Sequence, residues 1–176
     1  MANRYWVGGA GYWSETDHWA SSSGGAGGES VPSSSDDVFF DEHSNESADT
    51  SFTVRFNDNG SCNNLTMSFT GTEKITLNLQ YSYTLNIYGN LDLAGGSSQC
   101  SIYYGTLAFK ATSGTKTINT NGVVLEVNTI DFDGSGGTFQ LSSDLEIDGA
   151  TYSRIKKTNG TFDPNNHKVT FSGQSD

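Results

Sequence analysis

The feature that most constrains this chain is a run of very short apolar-x-apolar units between Leu65 and Phe171, each closed by Gly, Asn, Asp or Ser. The units are Leu65/Met67/Phe69, Ile75/Leu77/Leu79, Leu85/Ile87, Leu91/Leu93, Leu107/Phe109, Ile130/Phe132, Phe139/Leu141, Leu145/Ile147 and Val169/Phe171. A spacing of two puts both apolar side chains of a unit on one face of a strand. No helical period appears between the units, and they are too short for a doubly wound sheet with helices. The expectation is an all-β body.

Several units read as variants of one phrase, a turn residue and then apolar-x-apolar. Examples are Gly89-Asn90-Leu91-Asp92-Leu93, Gly105-Thr106-Leu107-Ala108-Phe109, Asn128-Thr129-Ile130-Asp131-Phe132 and Gly160-Thr161-Phe162. Leu91 to Leu107 is 16 residues and Leu107 to Ile130 is 23. Intervals of this order match one coil of a parallel β-helix. Such a solenoid has a narrow apolar core, turns rich in Asn and Gly, and open strand edges at its ends. The rival is a β-sandwich or jelly roll with the same strands antiparallel. Asn59-Gly60, Asn121-Gly122 and Asn159-Gly160 are hairpin signals and favour that rival.

Residues 1–30 differ from the body expected over 31–176. All three tryptophans, Trp6, Trp13 and Trp19, fall here, beside Gly8-Gly9-Ala10-Gly11 and the Gly/Ser loop over 21–30. Indoles bury more apolar surface than other side chains. The segment therefore reads as an aromatic plug that closes one end of the body or docks on a partner. Thr16 to Trp19 reads as a short helical turn capped by Thr16 or Ser14. Downstream, Val38-Phe39-Phe40 reads as a buried strand. In Ser51 to Phe56, Phe52, Val54 and Phe56 share one face, with Thr53 and Arg55 on the other. Asn57 to Gly60 then makes a turn. The segment from Asp41 to Asp49 reads as a loop.

Composition narrows the function. The net charge of −11, with nine Lys and Arg in all, disfavours nucleic acid, whose phosphates need cations. No apolar leader opens the chain and no run reaches the length of a membrane span. The expectation is a protein kept in the cytosol, released by lysis, or exported by a route not encoded here. Cys62 and Cys100 are two buried thiols or one disulfide.

Candidate chemistry is sparse. Asp36, Asp37, Asp41 and Glu42 form the densest carboxylate group, read as a solvated turn, with calcium as the rival. Asp131 to Gly137 is similar to an Asp/Gly-rich calcium loop but lacks the repeated nonapeptide and the distal Glu, and reads as a plain turn. His18, His43 and His167 lie far apart in sequence and make no metal spacing. No nucleophile elbow or phosphate-binding loop is present, and no carboxylate pair stands out for glycoside cleavage. The sequons at Asn45, Asn59, Asn64 and Asn159 read as turn chemistry. Tyr81, Tyr83, Tyr88, Tyr103 and Tyr104 cluster mid-chain, where they stack on sugars, fill an interface, or half-bury in the core.

The phrase Arg4-Tyr5-Trp6-Val7-Gly8-Gly9-Ala10-Gly11-Tyr12-Trp13-Ser14, with Asp17-His18-Trp19, Val31-Pro32 and Asp36-Asp37-Val38-Phe39-Phe40-Asp41, resembles the opening of a group of tailed-bacteriophage and bacterial surface β-solenoid proteins. Later pieces such as Gly114-Thr115-Lys116-Thr117-Ile118 and Gly136-Gly137-Thr138-Phe139-Gln140-Leu141 are similar to that group's coil phrases. The resemblance implies a virion fibre, capsid decoration or adhesin, and carries over no catalytic residue. The expectation is a non-enzymatic structural protein of a virion, held to capsid or tail proteins by Tyr5, Trp6, Trp13 and Trp19. A homo-oligomer, most simply a trimer, suits a fibre-like β protein. The alternative is a carbohydrate-binding adhesin module of a tail tip or bacterial surface that uses the tyrosines on a host glycan.

Overall fold

A computed structural model describes residues 1–45, 50–69, 74–148 and 153–173. It is nearly all β, a parallel β-solenoid of about five turns. The strands open with β1 (Asn3–Trp6), β2 (Gly11–Tyr12), β3 (Trp19–Ala20) and β4 (Asp37–Phe40). Two turns follow, β5 (Phe52–Arg55), β6 (Gly60–Cys62) and β7 (Leu65–Met67), then β8 (Ile75–Asn78), β9 (Thr84–Ile87) and β10 (Leu91–Asp92). The third is β11 (Cys100–Tyr103), β12 (Thr106–Phe109) and β13 (Thr115–Asn119). The chain ends with β14 (Val124–Glu126), β15 (Thr129–Leu141), β16 (Leu145–Asp148), β17 (Arg154–Asp163) and β18 (Val169–Ser172).

The strands stack into three faces. The first face runs β2-β5-β8-β11-β14-β16-β18 as one seven-stranded sheet. The second and third are continuous because β15 bends across the corner between them. Its first half pairs with β12 and its second half with β13. Residues in register on neighbouring turns are 22 residues apart at Leu125 and Ile147, and 27 apart at Val38 and Leu65. Among the described residues every pairing is parallel except β1 with β3. Parallel pairing removes the sandwich alternative.

The Asn-Gly pairs therefore do other work. Asn121 and Gly122, both at positive φ, turn the corner between β13 and β14. Asn159-Gly160 lies inside β17, where Gly160 takes φ +74° at the same corner that β15 crosses. At Asn59 the side-chain oxygen accepts the Thr84 backbone N–H of the next turn at 2.9 Å. Likewise, Asp131 to Gly137 is no turn but part of β15. A Cβ on Gly134 or Gly137 would lie 2.0 or 2.4 Å from the Ala111 carbonyl, so only glycine lets the strand pass so close.

Alternation puts one apolar column inside each face. The core runs from Trp6 to Ile147 without a break, so residues 1–30 and the body share it. Phe109, Phe132 and Phe162 stack rung upon rung with centroids 5.5 and 4.5 Å apart. Cys62 and Cys100 are buried, free thiols, which closes the disulfide reading. Burial pushes both thiols up, that of Cys100 to about 11. At the corner between the second and third faces, asparagines join the turns. Asn64 Oδ1 accepts the Asn90 N–H at 2.7 Å, and Asn90 Oδ1 accepts the Thr117 N–H at 2.9 Å.

The amino-terminal end is sealed. Trp19 packs edge-on against Trp6 and Trp13 at 5.0 and 4.8 Å, and Trp13 stacks on Phe56 at 4.8 Å. Trp6 Nε1 donates to the Gly9 carbonyl at 2.6 Å, and Trp19 Nε1 donates to the Trp13 carbonyl at 2.8 Å. Strand β3 covers one outer edge by lying antiparallel on β1. The outer edge of β2 is covered by Glu15, whose carboxylate accepts the Tyr12 N–H while its own N–H donates to the Tyr12 carbonyl. The expected helical turn is the 3-10 turn Thr16–His18, but its cap position is Glu15 rather than Thr16 or Ser14. With the Glu15 side chain committed to β2, the turn has no side-chain cap.

The opposite end differs. Val169 is only half-buried and Phe171 is 46% exposed, because no further described rung lies on β17 and β18. Among the described residues no helix is long and apolar enough to cross a membrane.

The sealed end and the hydrogen-bonded carboxyls along the rod each set an expectation for stability. Trp19→Ala removes the ring that both other indoles touch, and should cost about 3–5 kcal/mol in urea denaturation. Acid should weaken the fold through carboxyls held below their usual range. Burial works against ionising Asp36, but hydrogen bonds from the Ser33 hydroxyl and from the Ser33 and Ala2 backbone outweigh it. Asp133, Asp144 and Asp163 are lowered chiefly by hydrogen bonds from Lys110, the Lys168 backbone and Gln140. The unfolded carboxyl titrates near about 3.9, so this stabilisation is complete above that pH and lost as pH falls through the lower folded values. Urea midpoints should drop below about pH 4, and less steeply in Asp36→Asn.

Candidate functional site

The four residues expected to bind a partner divide into two kinds. Trp6, Trp13 and Trp19 are 0%, 2% and 0% exposed, enclosed by one another and by Phe40 and Phe56. Their rings are occupied within the chain. Tyr5 is half-buried and points outward on the third face, where it stacks on Phe39 at 4.8 Å. It is the member of the set whose ring still reaches the surface.

The carboxylates expected as one group do separate work. Asp36 is buried rather than solvated and ties Ala2 to Ser33. Asp37 Oδ1 accepts the side-chain amides of Asn63 and Asn64, each at 2.8 Å. Asp41 accepts the His43 N–H. No group of three or more His, Cys, Asp or Glu that could hold a metal ion occurs among the described residues. The histidines are also spent singly. His18 stacks on Trp6 at 4.6 Å and its Nδ1 donates to the Val7 carbonyl, whereas His167 sits 3.4 Å from Asp144 in the last turn.

What the solenoid does assemble is a strip of planar side chains along one edge of the first face. Parallel register places Tyr12 beside Arg55, Arg55 beside Asn78, Asn78 beside Tyr103 and Tyr103 beside Glu126. These come from five successive rungs, and strand spacing makes the column about 19 Å long. The adjoining corner adds Gln80, Tyr81 and Tyr83 from one turn and Tyr104 from the next. Tyr81 and Tyr104 lie 4.4 Å apart, and Tyr104 is 6.2 Å from Tyr103. A hollow of about 510 Å³ beside them is lined by Tyr12, Arg55, Asn57, Gln80, Tyr81 and Tyr83, among others.

Backbone geometry at this corner is unusual. Gln80 has φ +53° and Tyr104 has φ +61°, a region that side chains larger than Asn rarely enter. Each such residue costs on the order of 1–3 kcal/mol. The corner between β11 and β12 is only Tyr104-Gly105, both left-handed, which is why it is so sharp. The electrostatics are local. A hydrogen bond with Tyr104 raises the Tyr81 phenol. Burial raises the Glu126 carboxyl, helped by Asp148, although a hydrogen bond from Tyr103 opposes it.

Tyr81, Tyr83, Tyr103 and Tyr104 are legible as a cluster because they are near in sequence. Tyr12, Arg55, Asn78 and Glu126 are not, since only the coil register brings them to one column. Tyr88, the fifth of the cluster, lies half-buried after β9, on another corner.

Comparison with protein families, with characterised proteins and with solved structures finds no match.

The glycine at the sharp corner gives a test. A Cβ on Gly105 would lie 2.5 Å from the Tyr83 carbonyl and 2.6 Å from Leu79 Cβ. Gly105→Ala should therefore destabilise by about 2–4 kcal/mol, from the left-handed φ and the clash together. Thermal unfolding of the variant checks this.

Proposed function

We propose that this chain is a non-enzymatic structural protein of a bacteriophage virion, of capsid-decoration or fibre type. The observation that carries the reading is the sealed end. Residues 4–41 bear the resemblance to virion and surface β-solenoids, and the same residues supply the indoles and Glu15 that finish the rod. A parallel solenoid with a dry core is stiff and keeps its outward columns in fixed register, which suits a projecting or cementing part. Low charge density and a net charge of −11 keep such a part soluble at high copy number.

Attachment to capsid or tail proteins runs through the outer surface of the amino-terminal segment, with Tyr5 on Phe39 as its aromatic contact. The indoles serve attachment indirectly by holding β1 in place. If the assembly is symmetric, the form proposed for a fibre-like part is a trimer. A second reading, a carbohydrate-binding module of a tail tip or cell surface, is favoured by the tyrosine strip.

Purified particles test the first reading. The protein should be found by mass spectrometry at a fixed ratio to the major shell protein, and its absence from particles would overturn the reading. Deleting residues 1–30 is a poor probe, because it strips the core off Phe40 and Phe56. Tyr5→Asp is better. It should reduce incorporation several-fold, and a circular-dichroism spectrum matching the parent checks that the fold is kept.

A further inference from the structure

We infer that the tyrosine strip on the first face binds a neutral saccharide chain laid along the rod axis. The inference rests on the second reading above and names its site and ligand class. Large hydrophobic side chains are exposed at five positions among the described residues, Met1, Tyr12, Tyr81, Tyr104 and Phe171. Met1 is the first residue and Phe171 lies on the last described rung. The three on the flank are all tyrosines, 43%, 72% and 39% exposed, and all three belong to the strip.

Tyrosine offers an apolar face with a polar rim, which matches the alternating C–H and hydroxyl surfaces of a pyranose. Between the rings stand Arg55, Asn78 and Gln80, and Glu126 follows Tyr103 at the end of the column. These are planar groups with paired donors or acceptors, suited to adjacent hydroxyls. No exposed Leu, Ile, Val or Met accompanies them, as an aliphatic protein contact would want. Arg55 is the column's one guanidinium, and Glu126 with the neighbouring Asp148 supplies carboxylates, so the edge has no excess of positive charge for an acidic sugar and a neutral one fits better.

Two further observations support a built site. Gln80 and Tyr104 occupy the same corner on neighbouring turns, and both hold left-handed backbone that Gly or Asn would take with less strain. Strain retained at a surface corner points to what the side chains do there. The column is also straight, since parallel register stacks its members on consecutive rungs. A linear ligand can meet several of them at once.

The test uses chain 1–176 and a panel of neutral hexose oligosaccharides of graded length, immobilised on an array and then titrated by calorimetry. Saturable binding that strengthens with length is expected. Tyr81→Ala and Tyr12→Ala should each weaken it by up to about tenfold, the loss of one aromatic contact. Tyr81→Phe, which keeps the ring, should retain most of the affinity. Both rings are exposed, so the melting temperatures of these variants should match the parent.

Failure of every panel member to saturate would overturn the proposal. Equal binding by Tyr81→Ala and the parent would do so too. A third adverse result is that the tyrosine variants lose self-association or binding to a shell protein while saccharide binding is absent, which would make the strip a protein interface. Presence in particles is read on the unaltered protein, so it stands or falls separately.

Discussion

Register between neighbouring turns is the constraint on which everything else here depends. Each apolar side chain sits over its counterpart one turn away, Leu65 over Leu91 and Leu91 over Ile118, Leu85 over Leu107 and Leu107 over Ile130. A slip of one residue would turn every inward side chain outward. The corner hydrogen bonds guard against that slip. Asn64, Asn90 and Asn59 each reach a backbone N–H of the next turn, so the polar corners and the apolar faces specify the same alignment. Stability in such a stack is close to a sum of rungs and of contacts between neighbours.

A stack of this kind is weakest at its ends, where backbone groups and core side chains lose a neighbour. The two ends are treated differently. At the first, three indoles fill the column, and each buries on the order of 4–6 kcal/mol of apolar surface as an upper bound. Glu15 satisfies the free edge of β2 at the same time. On the last described turn β17 carries Arg154, Lys156 and Lys157, and Lys156 pairs with Asp131 of the turn before.

Outward positions are freer, and the chain uses its three flanks differently. The second face presents Thr84 and Thr106, in register with the buried Thr129, bordered by Lys110 and by Asp131 with its partner Lys156. The third presents Tyr5 on Phe39 above a row of Asn, Thr and Asp. Among the described residues, the three exposed tyrosines gather at the edge of the first face. Its corner also departs from low-strain backbone, at Gln80 and Tyr104, while corners such as Asn121-Gly122 use the residues that positive φ prefers. The scaffold is regular where it must be, and irregular beside the rings.

The sequence by itself determined the all-β class, the stacking of short units and the burial of an aromatic group at the start, because these follow from local alternation and from the size of the indole. Strand Phe52–Arg55 and the turn Thr16–His18 were legible for the same reason. Part of the tyrosine cluster was legible too, through nearness in sequence. Local signals misled where distant backbone decided the outcome. Asn-Gly marks hairpins in isolation, yet here it turns corners or lies within a strand, since the next segment has a turn below it to pair with in parallel. Asp131 to Gly137 looks like a loop, but it is the part of β15 that bends across a corner, where only glycine at 134 and 137 clears the Ala111 carbonyl. Only the tertiary structure placed Tyr12 and Arg55 in line with Asn78, Tyr103 and Glu126, because that line is set by how many residues each turn spends at its corners, and no single turn encodes the count of its neighbours.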